Sequence, residues 1–140
     1  MIAAHLAEHA IAHVAVWGRS EDKVNILLKQ ARQAFPHVEF CSANHIATYA
    51  GQADIIVSAT GAGEPLLFGK DVAAGCHIDL LGNHSPDRRE CDTELIQKSS
   101  VYVDYRDNVL KEAGELLIPI SEGVFAASDV KADLAELCRR

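Results

Sequence analysis

The chain has no apolar run long enough to span a membrane. Its start, MIAAHLAEHAIAHV, has three histidines and no Lys or Arg, so it does not read as a secretion signal. It also lacks an excess of positive charge. Thirteen Lys and Arg stand against 20 Asp and Glu, a formal net charge of −7, which argues against a nucleic-acid partner. Its four cysteines, Cys41, Cys76, Cys91 and Cys138, show neither CxxC nor metal-type spacing. Without a secretion signal they read as reduced thiols of a cytoplasmic protein. Repeats, low-complexity tracts and linkers are missing too.

What remains is an ordinary globular balance, 49% hydrophobic and 24% charged, over 140 residues. That length suits one domain with one core. Ile2–Ala10 reads as a helix, and His13–Trp17 alternates as a strand. Ser20 is placed to cap a helix whose first turn holds Glu21 and Asp22. Val24, Leu27, Leu28, Ala31 and Phe35 recur at helical spacing until Pro36. Val38–Cys41 follows as a short strand and Asn44–Tyr49 as a short helix.

Asp54–Ala59 and His77–Leu81 are continuous apolar runs, as in strands buried on both faces, with a turn at Lys70–Val72 between them. Asp92–Lys98 reads as a helix capped by Asp92, and Val101–Asp104 as a strand. Asn108–Ala113 reads as a helix closed by Gly114, and Asp129–Leu137 as a last helix capped by Ser128. Alternating strands and helices predict a doubly wound α/β fold with a mainly parallel sheet. Ligands of such sheets bind beyond the carboxyl ends of the strands. The stretch Asp54–Glu90 is therefore where chemistry is expected.

Several residues can carry it. Trp17-Gly18-Arg19-Ser20 ends the first strand. In a dinucleotide fold, an acid at the corresponding place holds the ribose 2′-hydroxyl, whereas Arg accommodates a 2′-phosphate. Arg19 and Ser20 thus suit NADP(H), or form an ordinary cap beside a solvated Arg. Thr60-Gly61-Ala62-Gly63 follows a strand, but position 66 is Leu66 and Pro65 precedes it, so this is not a pyrophosphate loop. Its small residues either admit a ribose or nicotinamide or form a plain turn.

His84 follows the next strand and is either a proton carrier or an exposed loop residue. Arg88, Arg89 and Glu90 read as a solvated charge cluster opening the next helix. His5, His9 and His13 would share a helix face suited to zinc or nickel if one helix ran through them; His13 reads as the start of a strand. Glu112 and Glu115 read either as paired carboxylates or as residues flanking a helix stop at Gly114.

Four segments in order, VAVWGRS, ADIIVSATGAGEPLLFGKDVAAGCHIDLLGNHSPDRRECDTELI, VYVD and KEAGELLIP, resemble the ornithine cyclodeaminase/mu-crystallin family. The resemblance runs from about His13 to Leu137. It implies a Rossmann-like NAD(P)-binding domain, with NADP(H) favoured and NAD(H) possible. It implies a small amino or cyclic imino acid substrate and favours reduction of ketimines such as pyrroline-2-carboxylate, with ornithine cyclodeamination and a non-catalytic nucleotide-binding role as alternatives. Gly18, Arg19 and Ser20 match the family segment at the 2′ end of the cofactor. Ser58, Ala59 and Thr60, with Leu81, Gly82 and Asn83, match the segments beside the ribose and nicotinamide. His84 stands where cyclodeaminases carry a catalytic aspartate.

The resemblance also implies what lies elsewhere. The family's Gly-rich loop and first strand would precede Met1, and its substrate and dimerisation domain has no match here. The chain is thus expected to be an incomplete Rossmann domain, inactive by itself. The strands His13–Trp17 and Asp54–Ala59 would lack their common neighbour. Closure of the gap, pairing with another chain or homo-oligomer, or an unstable fragment would follow, because buried unpaired backbone groups are costly.

Overall fold

The computed structural model describes residues 1–139. The chain divides into two compact units, Met1–Tyr49 and Ala50–Arg140.

The first unit begins with helix α1, Ile2–Glu8, which stops before the expected Ala10 because His9 is already extended. Strand β1, His13–Val16, and strand β2, Glu39–Ser42, pair in parallel, with Val14 opposite Phe40. Between them helix α2 spans Glu21–Ala34. Ser20 caps it as expected, its hydroxyl accepting from Lys23 N at 3.4 Å. The helical spacing buries Val24 and Leu28 against Val38 and Phe40, with Leu6, Val14, Val16, Ala31 and Phe35 packed around them. Leu27, predicted on the same face, is 47% exposed. The buried stripe is narrower than the apolar pattern. Arg32 ties α2 to β2 through Phe40 O at 2.6 Å. Helix α3, Ile46–Ala50, follows.

In the second unit, strand β3, Ile55–Ser58, pairs in parallel with strand β4, His77–Leu80, Ile55 lying opposite His77. The expected burial on both faces is not met: of the two strands only Ser58 is buried. The turn at Lys70–Val72 forms. Helix α4, Thr93–Lys98, starts at Asp92, whose carboxylate accepts from Leu95 N at 2.9 Å. Strand β5 is Tyr102–Val103, and helix α5 is Arg106–Glu112.

Gly114 does not close α5. It opens a further helix, α6, Gly114–Ser121, that the sequence pattern hides behind Pro119. Gly114 also lacks the left-handed conformation of a C′ glycine, since Gly75 and Gly123 alone have positive φ among the described residues. The last helix, α7, is Leu134–Cys138. Its cap is Asp133, which accepts from Glu136 N at 2.8 Å while the Glu136 side chain returns to Asp133 N. Ser128 sits in a 3-10 turn instead. Strand β6, Ala132–Asp133, pairs in parallel with β5.

The described strands thus form three parallel pairs rather than one continuous sheet. β1 has β2 as its sole partner and β3 has β4, so the second edge of each carries no strand from the described residues.

Candidate functional site

The carboxyl ends of β3 and β4 lie side by side, joined by Leu81 N donating to Ser58 O at 2.8 Å. This brings Ser58, Ala59, Thr60, Leu81, Gly82 and Asn83 together. Asn83 Nδ2 donates to Ala62 O at 2.9 Å, so the two loops bond directly.

Beneath them lies Glu90. Its side chain has no exposed surface, so the expected solvated cluster Arg88-Arg89-Glu90 is wrong at its third member. Glu90 Oε1 accepts from Ser58 Oγ at 2.8 Å, Thr60 N at 2.5 Å and Thr60 Oγ1 at 2.7 Å. Oε2 accepts from Gly82 N at 2.8 Å. A carboxylate that only accepts suits this ring of donors. No Lys, Arg or His pairs with Glu90 among the described residues. Arg89 turns away to Thr93 Oγ1 at 2.7 Å and Glu122 at 3.8 Å.

The main chain of Glu90 is held as firmly. Its N–H donates to Glu115 Oε1 at 3.0 Å, and its carbonyl accepts from Leu66 N at 2.8 Å and Leu67 N at 3.0 Å. Glu115 is itself buried on α6, so it serves this contact and does not pair with the exposed Glu112. Two glycines permit the close approach. A Cβ on Gly82 would strike Thr60 O and the Glu90 carboxylate; one on Gly114 would strike Arg88 O and Ser85 O. The neighbouring Cys91 is 1% exposed, and burial, then the Glu115 charge, pushes its thiol up to about 12.

Above this buried bracket the surface is open. Ala59, Gly61 and Gly63 are exposed, Leu81 is 45% exposed, and a Cβ on either Gly61 or Gly63 would meet nothing within 4 Å. An exposed leucine beside small residues leaves room for a planar ring. His84 is exposed on the same loop, without a hydrogen-bond partner among the described residues. Beyond it, the Ser85 hydroxyl donates to Asp87 at 2.7 Å and holds that carboxyl below its ordinary range.

In the first unit, Gly18, Arg19 and Ser20 stand at the carboxyl end of β1. Gly18 and Arg19 are exposed, and Arg19 makes no hydrogen bond or ion pair among the described residues. The three spaced histidines do not share a helix face: the His5 and His9 rings stack 5.9 Å apart, while His13 begins β1 and pairs with Glu39 at 3.0 Å.

The sequence names Glu90 and Glu115 but does not reveal their buried roles. Inside DRREC, Glu90 looks like one more surface charge. Its partners lie 8, 30 and 32 residues away, so no local pattern marks it.

Comparison with known proteins follows the same lines. The model of the ornithine cyclodeaminase/mu-crystallin family matches residues 1–139. A Delta(1)-pyrroline-2-carboxylate reductase of Colwellia psychrerythraea is 44% identical over 99% of this chain and 44% of its own length. The ketimine reductase mu-crystallin of Rattus norvegicus is 34% identical over 93% of this chain and 38% of its own. A solved structure, Thermococcus litoralis Delta(1)-pyrroline-2-carboxylate reductase in complex with NADH and L-proline, superposes with a TM-score of 0.93. It is 28% identical, over 97% of this chain and 42% of that one. The fold is therefore the Rossmann-like α/β fold of these enzymes. The chain spans less than half the length of each of these relatives.

Proposed function

The chain belongs to the ornithine cyclodeaminase/mu-crystallin family, and from that membership we propose that it forms the nicotinamide-dinucleotide-binding part of an oxidoreductase acting on amino or cyclic imino acids. Reduction of a ketimine such as pyrroline-2-carboxylate is the favoured reaction. The observation that carries this reading is the pair of strand-end loops, Ser58–Thr60 and Leu81–Asn83, held side by side by the Glu90 bracket with Ala59 and Leu81 exposed above it. The bound dinucleotide would supply the hydride. In the second unit, Ser58, Ala59, Thr60, Leu81, Gly82 and Asn83 would hold its ribose and nicotinamide; in the first, Gly18, Arg19 and Ser20 match the family segment that meets the adenosine end.

NADP(H) is the favoured form. Arg19 is an exposed guanidinium with no partner of its own among the described residues, at the end of β1, which the resemblance matches to the second strand of a dinucleotide fold, where a 2′-phosphate is received. The reductase reading stands above cyclodeamination because, by the resemblance, His84 stands where cyclodeaminases carry a catalytic aspartate. An imidazole there can pass a proton to a reduced imine nitrogen.

Titration of the 15N-labelled chain with NADPH and NADH tests the reading by NMR. We expect binding weaker than about micromolar, with amide shifts at Ser58–Thr60 and Leu81–Asn83. We expect NADPH to bind more tightly than NADH, and Arg19→Ala to abolish that difference. Shifts elsewhere alone would refute the site, and an unchanged NADPH preference in Arg19→Ala would refute the role of Arg19.

A further inference from the structure

A carboxylate without solvent or counter-ion is an expensive thing to bury. An apolar side chain of similar volume would fill the same space without that cost. Glu90 nevertheless has no exposed surface and no ion pair among the described residues. Its charge is met by four hydrogen bonds, and their origin is informative. Two donors are the peptide N–H groups of Thr60 and Gly82, the second residue beyond β3 and beyond β4 respectively. A third is the Thr60 hydroxyl, and the fourth is Ser58, the last residue of β3.

The two carboxylate oxygens thus divide the loops between them, Oε1 taking the β3 side and Oε2 the β4 side. The backbone of Glu90 is fixed independently, by Leu66, Leu67 and Glu115. A rigidly anchored acceptor therefore sets the separation of the two loops. The missing Cβ of Gly82 lets that loop come close enough to be held.

We propose that Glu90 is a positioning residue: its carboxylate holds the Thr60 and Gly82 loops in the arrangement that receives the nicotinamide half of the dinucleotide. This rests on the dinucleotide-binding reading given above. Glu90 does not touch the ligand surface, since it is wholly covered; it acts through the loops.

Glu90→Gln keeps the shape but offers one acceptor oxygen. Its NH2 must then face either the Thr60 donors or the Gly82 N–H, and one loop is released. A residue that served stability alone would weaken every ligand alike. A positioning residue weakens only ligands that use these loops. The test is NMR titration of the wild-type chain and Glu90→Gln with NADH and with ADP, which lacks both the nicotinamide and its ribose.

The expected result is about a tenfold loss for NADH, the size of one charge-assisted hydrogen bond, with ADP changed less than about twofold. Equal losses for both ligands, or none for either, would overturn the proposal. Wild-type chain showing no NADH response at Thr60 and Gly82 would overturn the dinucleotide reading and this proposal with it. Should Glu90→Gln fail to fold, Glu90→Asp keeps the charge but withdraws the carboxylate from the loops by one methylene, and the same comparison applies.

Discussion

Single residues near Glu90 show how strongly neighbours override side-chain type. Cys91 is a thiol by chemistry and a core hydrophobe by position. Its proton is held because burial and the Glu115 charge disfavour the thiolate. In the unfolded chain the same thiol ionises near its ordinary value of 9.0, so the unfolded state releases its proton first as pH rises. The contribution to stability is intact below about pH 9 and falls between about 9 and 12, by about 1.4 kcal/mol per pH unit at most. Urea unfolding at several alkaline pH values should show a steeper loss for wild type than for Cys91→Ala. Parallel curves would mean the thiol titrates freely. The exposed Cys41 and Cys138 should react with thiol reagents well before Cys91 does.

Elements were legible where a cap or a period was local. Ser20 and Asp92 both cap as read, because each bonds a backbone N–H three residues on. Asp133 does the same for α7, yet Ser128 was read as the cap. Both are good capping residues, and the choice rests on β6 pairing with β5, about thirty residues away. Helix α6 was hidden for a related reason. Gly114 and Pro119 are breaker residues in sequence, but burial of Leu116, Pro119 and Glu115 outweighs their propensity. Gly114 is required by close approach to the Arg88 carbonyl rather than by conformation. An alanine at a helix glycine usually stabilises by about 1 kcal/mol. Gly114→Ala should instead destabilise by about 1–3 kcal/mol, the usual cost of overpacking. A gain in the denaturation midpoint would show that a Cβ fits at Gly114 and that the close approach does not require glycine.

At the scale of the whole molecule, the chain matches its relatives along nearly all of its own length and less than half of theirs. No helix among the described residues is long and apolar enough to cross a membrane. A chimera makes the proposed activity measurable: this chain replaces the matching segment of the Colwellia reductase, with which it shares 44% identity. The chimera should reduce pyrroline-2-carboxylate. His84→Ala within it should lower turnover about a hundredfold if His84 passes the proton, with cofactor affinity retained. Unchanged turnover would remove His84 from the reaction. By itself the sequence determined the α/β class, the family and the loops that end β3 and β4, because strand periods, caps and motif order are written in neighbouring residues. Tertiary structure alone decided that Glu90 is buried, that it joins those loops, and that Gly114 begins a helix, because each depends on atoms brought together from distant parts of the chain.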